Sequence, residues 1–209
     1  MGKNISKQSM RIIDLKKELV RKSLHVLIAF LPFFVHENTW VALTLLGSGA
    51  IIYSVSEFMR LSHLYDTKWI VRFFQPIMVV TEFVARGDEN RSFVKAPITM
   101  AAGAILVLVF YPFDAMKMGI LALAFGDTAA ALLGRAYPIR ELPFIKKKSV
   151  GGVIGCFMAT FITAYVIFGD INKALIIASV TTLVEALPFS DFDNLMIPVV
   201  VGYTTTLLM

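Results

Sequence analysis

The stretch LALAFGDTAAALLGR (residues 121–135) places one carboxylate, Asp127, inside an otherwise apolar segment. An ionised carboxylate is costly in hydrocarbon, so an acid within a membrane helix usually faces a charged partner or a wet cavity. The whole chain has a membrane-protein composition, because 57% of its 209 residues are hydrophobic and only 17% are charged. We therefore predict that Asp127 belongs to a polar site enclosed by membrane helices.

Seven apolar stretches divide the chain. They cover residues 24–35, 39–56, 96–113, 116–134, 150–168, 173–188 and 194–209. A helix needs about 20 residues to cross the hydrocarbon core, so the first span has to begin earlier, near Leu15. The predicted fold is an all-α polytopic transmembrane bundle of about seven spans. Residues 1–209 would form a single domain, with a polar basic tail at 1–14.

The basic residues predict how this bundle is oriented in the membrane. If the N-terminus is cytoplasmic, 18 of the 20 Lys and Arg residues fall in the inner segments 1–22, 57–95 and 135–149. Only Lys117 and Lys173 then lie in outer loops. This distribution follows the positive-inside rule and places the C-terminus outside.

Residues 69–86 are long enough to span the membrane, but we interpret them differently. They carry Arg72 and Glu82, and a span here would move the basic cluster at 135–149 to the outside. We predict an amphipathic helix at the inner interface, with Pro76 as a candidate break.

Polar residues from separate stretches share the inner end of the predicted bundle. On the first span, a spacing of i, i+3, i+4 and i+7 puts four of them on one helix face. The set comprises Glu18, Arg21, Lys22, His25, Glu57, Arg60, Asp127, Glu185, Asp193 and Asn194. Taken singly, Arg21 and Lys22 also fit lipid-headgroup binding, and His25 also fits simple packing. Taken together, acids and bases from four regions at one leaflet favour a functional site.

The stretch KKKSVGG (residues 146–152) precedes the fifth span and combines lysines with glycines. Ser149 is a candidate helix cap, and Gly151 and Gly152 would let backbone N–H groups approach a phosphate at the helix N-terminus. The alternative is a basic loop followed by a packing face from Gly151 to Gly155. The sequence contains neither a P-loop motif nor a GxGxxG motif, so any nucleotide would be held in another way.

Carboxylates, lysines and a glycine-rich helix start in one place indicate Mg²⁺-dependent phosphate chemistry. Phosphoryl transfer needs positioning and charge neutralisation more than covalent steps. Carboxylates hold Mg²⁺, usually one or two per ion, while Lys and Arg neutralise the phosphates. Asp127 would either bind the metal or accept the proton of a hydroxyl arriving from the bilayer, and both roles stay open.

Four motifs follow one another along the chain: ELVRKSLHVLIAF (18–30), FGDTAAALLGRAYP (125–138), KKKSVGG (146–152) and EALPFSDFDNLMIP (185–198). In this order they resemble the polyprenol kinase family, which includes dolichol kinases, phytol and farnesol kinases, and CTP-dependent diacylglycerol kinases. The resemblance implies transfer of the terminal phosphate of a nucleotide, usually CTP, to the hydroxyl of a membrane lipid.

The charge pattern and the resemblance together give a set of candidate site residues. Asp127 and His25 are the candidate catalytic residues, and Asp127, Glu185 and Asp193 are the candidate Mg²⁺ ligands. The candidates for binding nucleotide or phosphate are Arg21, Lys22, Gly126, Arg135, Lys147, Lys148, Ser149, Gly152 and Asn194. Supporting positions are Glu18, Glu57, Arg60 and Gly134.

Two other functions stay open from the sequence. A cytidylyltransferase similar to CDP-diacylglycerol synthase would carry comparable motifs, transfer CMP to phosphatidic acid and release pyrophosphate. A small ion-coupled transporter would use Asp127 and Glu185 as a relay for protons or ions. In the kinase interpretation, the chain is a multi-pass membrane protein with its active site on the cytoplasmic face. Its partners are a nucleotide, a lipid alcohol and the bilayer, without nucleic acid, and the oligomeric state stays open.

Overall fold

The computed structural model describes residues 16, 18–23, 25–62, 68–84, 92–137, 141–142, 145–188 and 192–209. The helices are α1 (Glu18–His36), α2 (Thr39–Ser62), α3 (Lys68–Val84), α4 (Ala96–Phe110), α5 (Phe113–Ala136), α6 (Val150–Phe168), α7 (Ile171–Ala186) and α8 (Asp193–Leu208). A short antiparallel hairpin, β1 (Glu141–Leu142) and β2 (Ile145–Ser149), precedes α6. The prediction of a helical fold is confirmed, with this hairpin as a small addition.

Each predicted apolar stretch corresponds over most of its length to one described helix, but the helices differ in length. Within the described residues, α1, α2, α5 and α6 are long and apolar enough to cross a membrane. Helix α4 is apolar but has 15 residues, and α7 and α8 have 16 each. These three are shorter than the roughly 20 residues of an average span. Seven spans and their orientation therefore stay predictions.

Helix α1 changes its pitch halfway along. Residues Leu27–Phe30 are 3₁₀-helical, and the chain continues from Leu31 as an α-helix with Pro32 in its first turn. Proline has no N–H and cannot extend the hydrogen-bond ladder backwards, which accounts for the change just before it. The predicted start of this span, Leu15, lies outside the described residues.

Helix α5 is the most buried of the four long apolar helices and forms the centre of the bundle. One side packs with α1, α2 and α4, through Ile28, Leu31, Ala42, Ala104, Val107, Leu108, Met116, Ile120 and Ala124. The other side packs with α6, α7 and α8, through Met118, Ala122, Leu123, Ala164, Ala174, Ile177, Val184, Ile197 and Val201. Small residues permit this close approach. At Gly119, for example, an added Cβ would lie 2.5 Å from the carbonyl oxygen of Pro198 in α8.

Helix α5 is not regular along its length. It is π-helical over Ala122–Asp127 and returns to an α-helix over Thr128–Ala136. A π-turn inserts extra chain into a helix, so the residues that follow it are rotated around the axis, and such turns are frequent at functional sites. Asp127 is the last residue of this segment, so the π-turn sets the direction from which its carboxylate leaves the helix.

Helix α3 occupies the segment that we predict to be interfacial, and it packs against α2. The helix continues through Pro76, so the candidate break is not present. Met78 and Thr81 are buried, whereas Phe73 and Val79 are exposed. An exposed apolar surface is compatible with a helix at the membrane interface, and that placement stays a prediction.

The hairpin leads directly into α6 through a capping serine. The Oγ atom of Ser149 accepts a hydrogen bond from the backbone N–H of Gly152 at 3.2 Å, which caps the helix as predicted. The same hydroxyl donates to the carbonyl oxygen of Gly134 at 3.1 Å. The start of α6 is thereby fixed against the end of α5, beside the polar residues described below.

Candidate functional site

A polar cavity of about 550 Å³ lies among α1, α4, α5, α6, α7, α8 and β2. Of the candidate site residues whose side chains the structure describes, all but three line it. The lining candidates are Glu18, Arg21, Lys22, His25, Asp127, Gly134, Arg135, Lys148, Ser149, Gly152, Glu185, Asp193 and Asn194. The four motifs, which are widely separated in sequence, therefore line one cavity with charged and polar groups.

Asp127 is buried, with 4% of its surface exposed, and it is held by residues of α1. Its Oδ2 atom accepts a hydrogen bond from Nζ of Lys22, which is itself 3% exposed. Nδ1 of His25 lies 3.3 Å from the same oxygen. The lysine supplies the opposite charge that a buried carboxylate requires. The helical face predicted from the spacing on α1 is thus turned toward α5.

His25 does not form an aligned hydrogen bond in this arrangement. Within the described part of the chain, its buried Nδ1 has no hydrogen-bond partner, although the carboxylate of Asp127 is near. A buried ring nitrogen without a partner is uncommon in folded proteins. Nδ1 of His25 therefore lies beside the carboxylate of Asp127 with an unused hydrogen-bonding position.

Glu18 is a second buried carboxylate, and it binds two arginines. Its Oε1 atom accepts from Nη2 of Arg21 at 2.6 Å, and its Oε2 atom pairs with Nη1 of Arg135. Arg135 is near the end of α5, and 39% of its side chain is exposed. This group of three residues joins the beginning of α1 to the end of α5 and leaves the arginines accessible from the cavity.

Lys148 brings the hairpin into contact with α7. Its Nζ atom donates to Oε1 of Glu185 at 2.5 Å, and the carboxylate is buried while the lysine is a quarter exposed. Lys148 is the last lysine of the KKKSVGG stretch, so the charged part of that motif reaches the cavity from β2. The side chain of Lys147 lies outside the described residues.

Asp193 and Asn194 begin α8, and both line the cavity. Oδ1 of Asp193 accepts from the backbone N–H of Asn194 at 2.9 Å. Burial raises the pKa of Asp193 to about 6, and the negative charge of Asp127 adds to the rise. Among the described residues, no cation forms an ion pair with Asp193. A cation bound here would favour the ionised carboxylate.

The three candidate metal ligands line the same cavity but do not form a closed cage. In the described part of the chain, no three His, Cys, Asp or Glu side chains are arranged around a common point as a metal site. Asp127 and Glu185 are each paired with a lysine. Mg²⁺ is commonly held by one or two carboxylates together with phosphate oxygens. Asp193, Glu185 and Asp127 are the carboxylates that would hold an ion of that kind together with a phosphate ligand.

Glu57 and Arg60 do not line the cavity. Arg60 donates to both carboxylate oxygens of Glu57, at 2.7 and 2.6 Å, and to the carbonyl oxygen of Ser92 at 3.0 Å. Oε1 of Glu57 also accepts from the backbone N–H of Val94 at 2.8 Å. These bonds attach the segment before α4 to the end of α2, so the pair supports the fold beside the site.

The glycine positions are largely explained by packing. An added Cβ at Gly126 would lie 2.6 Å from a threonine hydroxyl of α6, and Gly126 does not line the cavity. An added Cβ at Gly151 would lie 2.4 Å from the carbonyl oxygen of Tyr137. Gly152 lines the cavity, but its N–H is already bonded to Ser149. The geometry thus favours the packing alternative for Gly151.

The apolar part of the cavity wall was not predicted from the sequence. Ala130, Ala131 and Val153 line the cavity between α5 and α6, and Ala96 lines it from α4. The small residues at 130, 131 and 134 share one face of α5, and this spacing was the available signal. Ala96 has no comparable signal, because its position depends on how the preceding segment is attached to α2.

Comparison with known proteins gives kinases that act on isoprenoid alcohols. The chain is 28% identical over 131 residues to "Farnesol kinase, chloroplastic" from Arabidopsis thaliana, covering 53% of this chain and 41% of that protein. It is 30% identical over 133 residues to "Probable phytol kinase 3, chloroplastic" from Glycine max, covering 55% and 41%. It is 24% identical over 134 residues to "Probable phytol kinase, chloroplastic" from Triticum aestivum, covering 55% of this chain and 44% of that protein.

These comparisons confirm the resemblance inferred from the four motifs, since the curated relatives are named as farnesol and phytol kinases. The chain spans less than half the length of each of these relatives. No protein-family model and no solved structure matches the chain.

Proposed function

We propose that this chain is a membrane kinase that transfers the terminal phosphate of CTP to the hydroxyl of an isoprenoid alcohol. The observation that carries the proposal is the cavity in which Asp127, Lys22 and His25 meet Lys148 and the two arginines bound to Glu18. Kinase-named relatives that act on prenyl alcohols support the same class of reaction. The choice of CTP as phosphate donor comes from the motif resemblance.

The nucleotide phosphates would be bound by the more exposed cations of the cavity. Arg21 and Arg135 present guanidinium groups that suit bidentate contact with phosphate, and Lys148 adds a mobile point charge. All three are partly exposed, so a ligand can reach them without unfolding a helix. We therefore assign the polyphosphate to the part of the cavity between Arg135 and Lys148.

Asp127 would activate the alcohol. Its carboxylate is less exposed than the arginines and belongs to the most buried of the four long apolar helices, and the hydroxyl of a bilayer lipid would have to reach it there. In the proposed reaction, Asp127 accepts the hydroxyl proton while the alcohol oxygen bonds to the terminal phosphorus. The bond from that phosphorus to the β-phosphate oxygen breaks, and CDP leaves. Lys22 would neutralise the carboxylate of Asp127 before the transfer and the transferred phosphate afterwards.

The proposed reaction also requires charge neutralisation beyond the basic residues. Asp193 is the carboxylate that would hold Mg²⁺ first, with Glu185 and Asp127 as the neighbouring acids. When bound, the ion would neutralise phosphate charge and fix the phosphate orientation. We place the cavity on the cytoplasmic face because the basic segments that surround it are the ones expected inside.

The test is a phosphate-transfer assay with purified protein in lipid nanodiscs. CTP, ATP, GTP and UTP labelled on the terminal phosphate are each incubated with farnesol, phytol, a polyprenol or diacylglycerol. The proposal predicts label on an isoprenoid alcohol and equimolar CDP. Asp127→Asn should remove transfer, and Asp114→Asn, at the exposed start of the same helix, is the matched control. Transfer of CMP with release of pyrophosphate, or ion flux without nucleotide, would overturn it.

A further inference from the structure

Each described cation that lines the cavity is already paired with a carboxylate. Lys22 pairs with Asp127, and Lys148 pairs with Glu185. Arg21 and Arg135 share the carboxylate of Glu18. The cavity is therefore not an open basic pocket. An anion that enters it has to compete with carboxylates that are fixed in the protein.

Glu18 holds a distinct position among these carboxylates. It is 3% exposed and lies between the two arginines that are best placed to meet phosphate. Its charge is fixed there by the contact between the start of α1 and the end of α5. One N–H of Arg21, at Nε, is buried without an acceptor in the described part of the chain, so Glu18 does not satisfy every donor of this guanidinium.

We propose that Glu18 is a specificity-determining residue that excludes bare polyphosphate and selects a polyphosphate whose charge is partly neutralised by a divalent cation. This inference rests on the proposed function, because it concerns the same cavity. A bare triphosphate placed against Arg21 and Arg135 would also face the negative charge of Glu18. Partial neutralisation of the phosphate reduces that repulsion while leaving oxygens free for the two arginines.

The size of the effect follows from Coulomb's law. A carboxylate repels a multiply charged phosphate that lies several ångströms away. The repulsion energy lies between the energy of such a pair in water and that of a partly buried pair. This range predicts that neutralising Glu18 strengthens the binding of bare triphosphate by about tenfold or more. The gain should be smaller when the phosphate carries a divalent cation, because the interacting charge is smaller.

Glu18→Gln tests this inference through binding rather than turnover. The affinities of inorganic tripolyphosphate and of CTP are measured by calorimetry, once with EDTA and once with Mg²⁺, for wild type and variant. Glu82→Gln removes the same charge from the exposed surface of α3 and is the control. We expect a gain of about tenfold or more in EDTA for Glu18→Gln, a smaller gain in Mg²⁺, and no change for Glu82→Gln.

An unchanged or weaker affinity of Glu18→Gln in EDTA would overturn the inference, since it would mean that Glu18 only holds the arginines in place. Wild-type protein gives a second test that needs no folded variant. If wild type binds bare tripolyphosphate as tightly as it binds tripolyphosphate with Mg²⁺, the carboxylate of Glu18 does not select between the two ligands. Transfer of phosphate from CTP by that same wild-type protein would show that the selection failed while the proposed function held. Absence of both nucleotide binding and transfer would refute the function itself.

Discussion

Removing the cation that neutralises Asp127 should destabilise the bundle strongly. In Lys22→Met, the side chain keeps its approximate length but loses its charge, and the carboxylate of Asp127 stays in the centre of the molecule. Both groups are more than nine-tenths buried, so water cannot replace the lost partner. His25, with Nδ1 at 3.3 Å, offers only a partial substitute.

The magnitude follows from what is known of buried ion pairs. Breaking such a pair by removing one partner costs about 3–5 kcal/mol, because an uncompensated charge is left behind. For a chain of this size, each kcal/mol lowers the unfolding temperature by about 2–4 °C. We therefore expect Lys22→Met to unfold roughly 6–20 °C below wild type. Lys22→Met with Asp127→Asn removes both charges and should unfold closer to wild type than either single variant.

The assay is thermal unfolding of detergent-purified protein, followed by tryptophan fluorescence. Lys16→Met, which removes an exposed lysine just ahead of α1, is the control and should change stability by less than about 0.5 kcal/mol. If the double variant loses as much stability as the two single variants combined, the two side chains do not interact. That result would refute the central ion pair and the position of α1 against α5.

Three further predictions concern other parts of the molecule. Lys148→Ala should weaken nucleotide binding by about tenfold or more in calorimetry, since a charge-assisted contact is lost, and an unchanged affinity would exclude this lysine from the phosphate site. Gly119→Ala should lower the free energy of unfolding by about 1–3 kcal/mol, because its Cβ would overlap Pro198. Gly47→Ala, which has open space around it, should leave the stability unchanged or raise it in the same thermal-unfolding assay. Glu57→Gln should lower the unfolding temperature while leaving nucleotide affinity unchanged, and a changed affinity would place it in the site.

The helices and the charged surroundings of Asp127 could be predicted from the sequence for clear physical reasons. Apolar stretches bounded by charged residues specify where helices begin and end, since backbone groups in lipid must be bonded within the segment. A carboxylate in such a stretch requires a cation, and the spacing of Arg21, Lys22 and His25 on one face of α1 supplies one. The cap at Ser149 was equally predictable, because its hydroxyl precedes a helical run and can bond the third following N–H.

Other features depend on contacts that no local pattern encodes. The π-turn over Ala122–Asp127 has the same composition as a regular helix, so nothing in that stretch distinguishes the two forms. The pairing of Glu18 with Arg135 joins residues far apart in sequence, and the sequence offers other oppositely charged partners for each of them. Glu57 and Arg60 looked like part of the site because they share its end of the bundle, but their bonds to Ser92 and Val94 place them beside it.

The most direct test of the proposed active site is phosphate transfer by Asp127→Asn, measured below the unfolding temperature of the variant. The protein should remain monodisperse and keep nucleotide affinity within a few-fold of wild type. Transfer from labelled CTP to an isoprenoid alcohol should fall by about 10²–10⁴-fold, the contribution usual for a general base. Transfer at the wild-type rate by the folded variant would contradict the proposal, because the buried carboxylate of α5 would then have no part in the reaction.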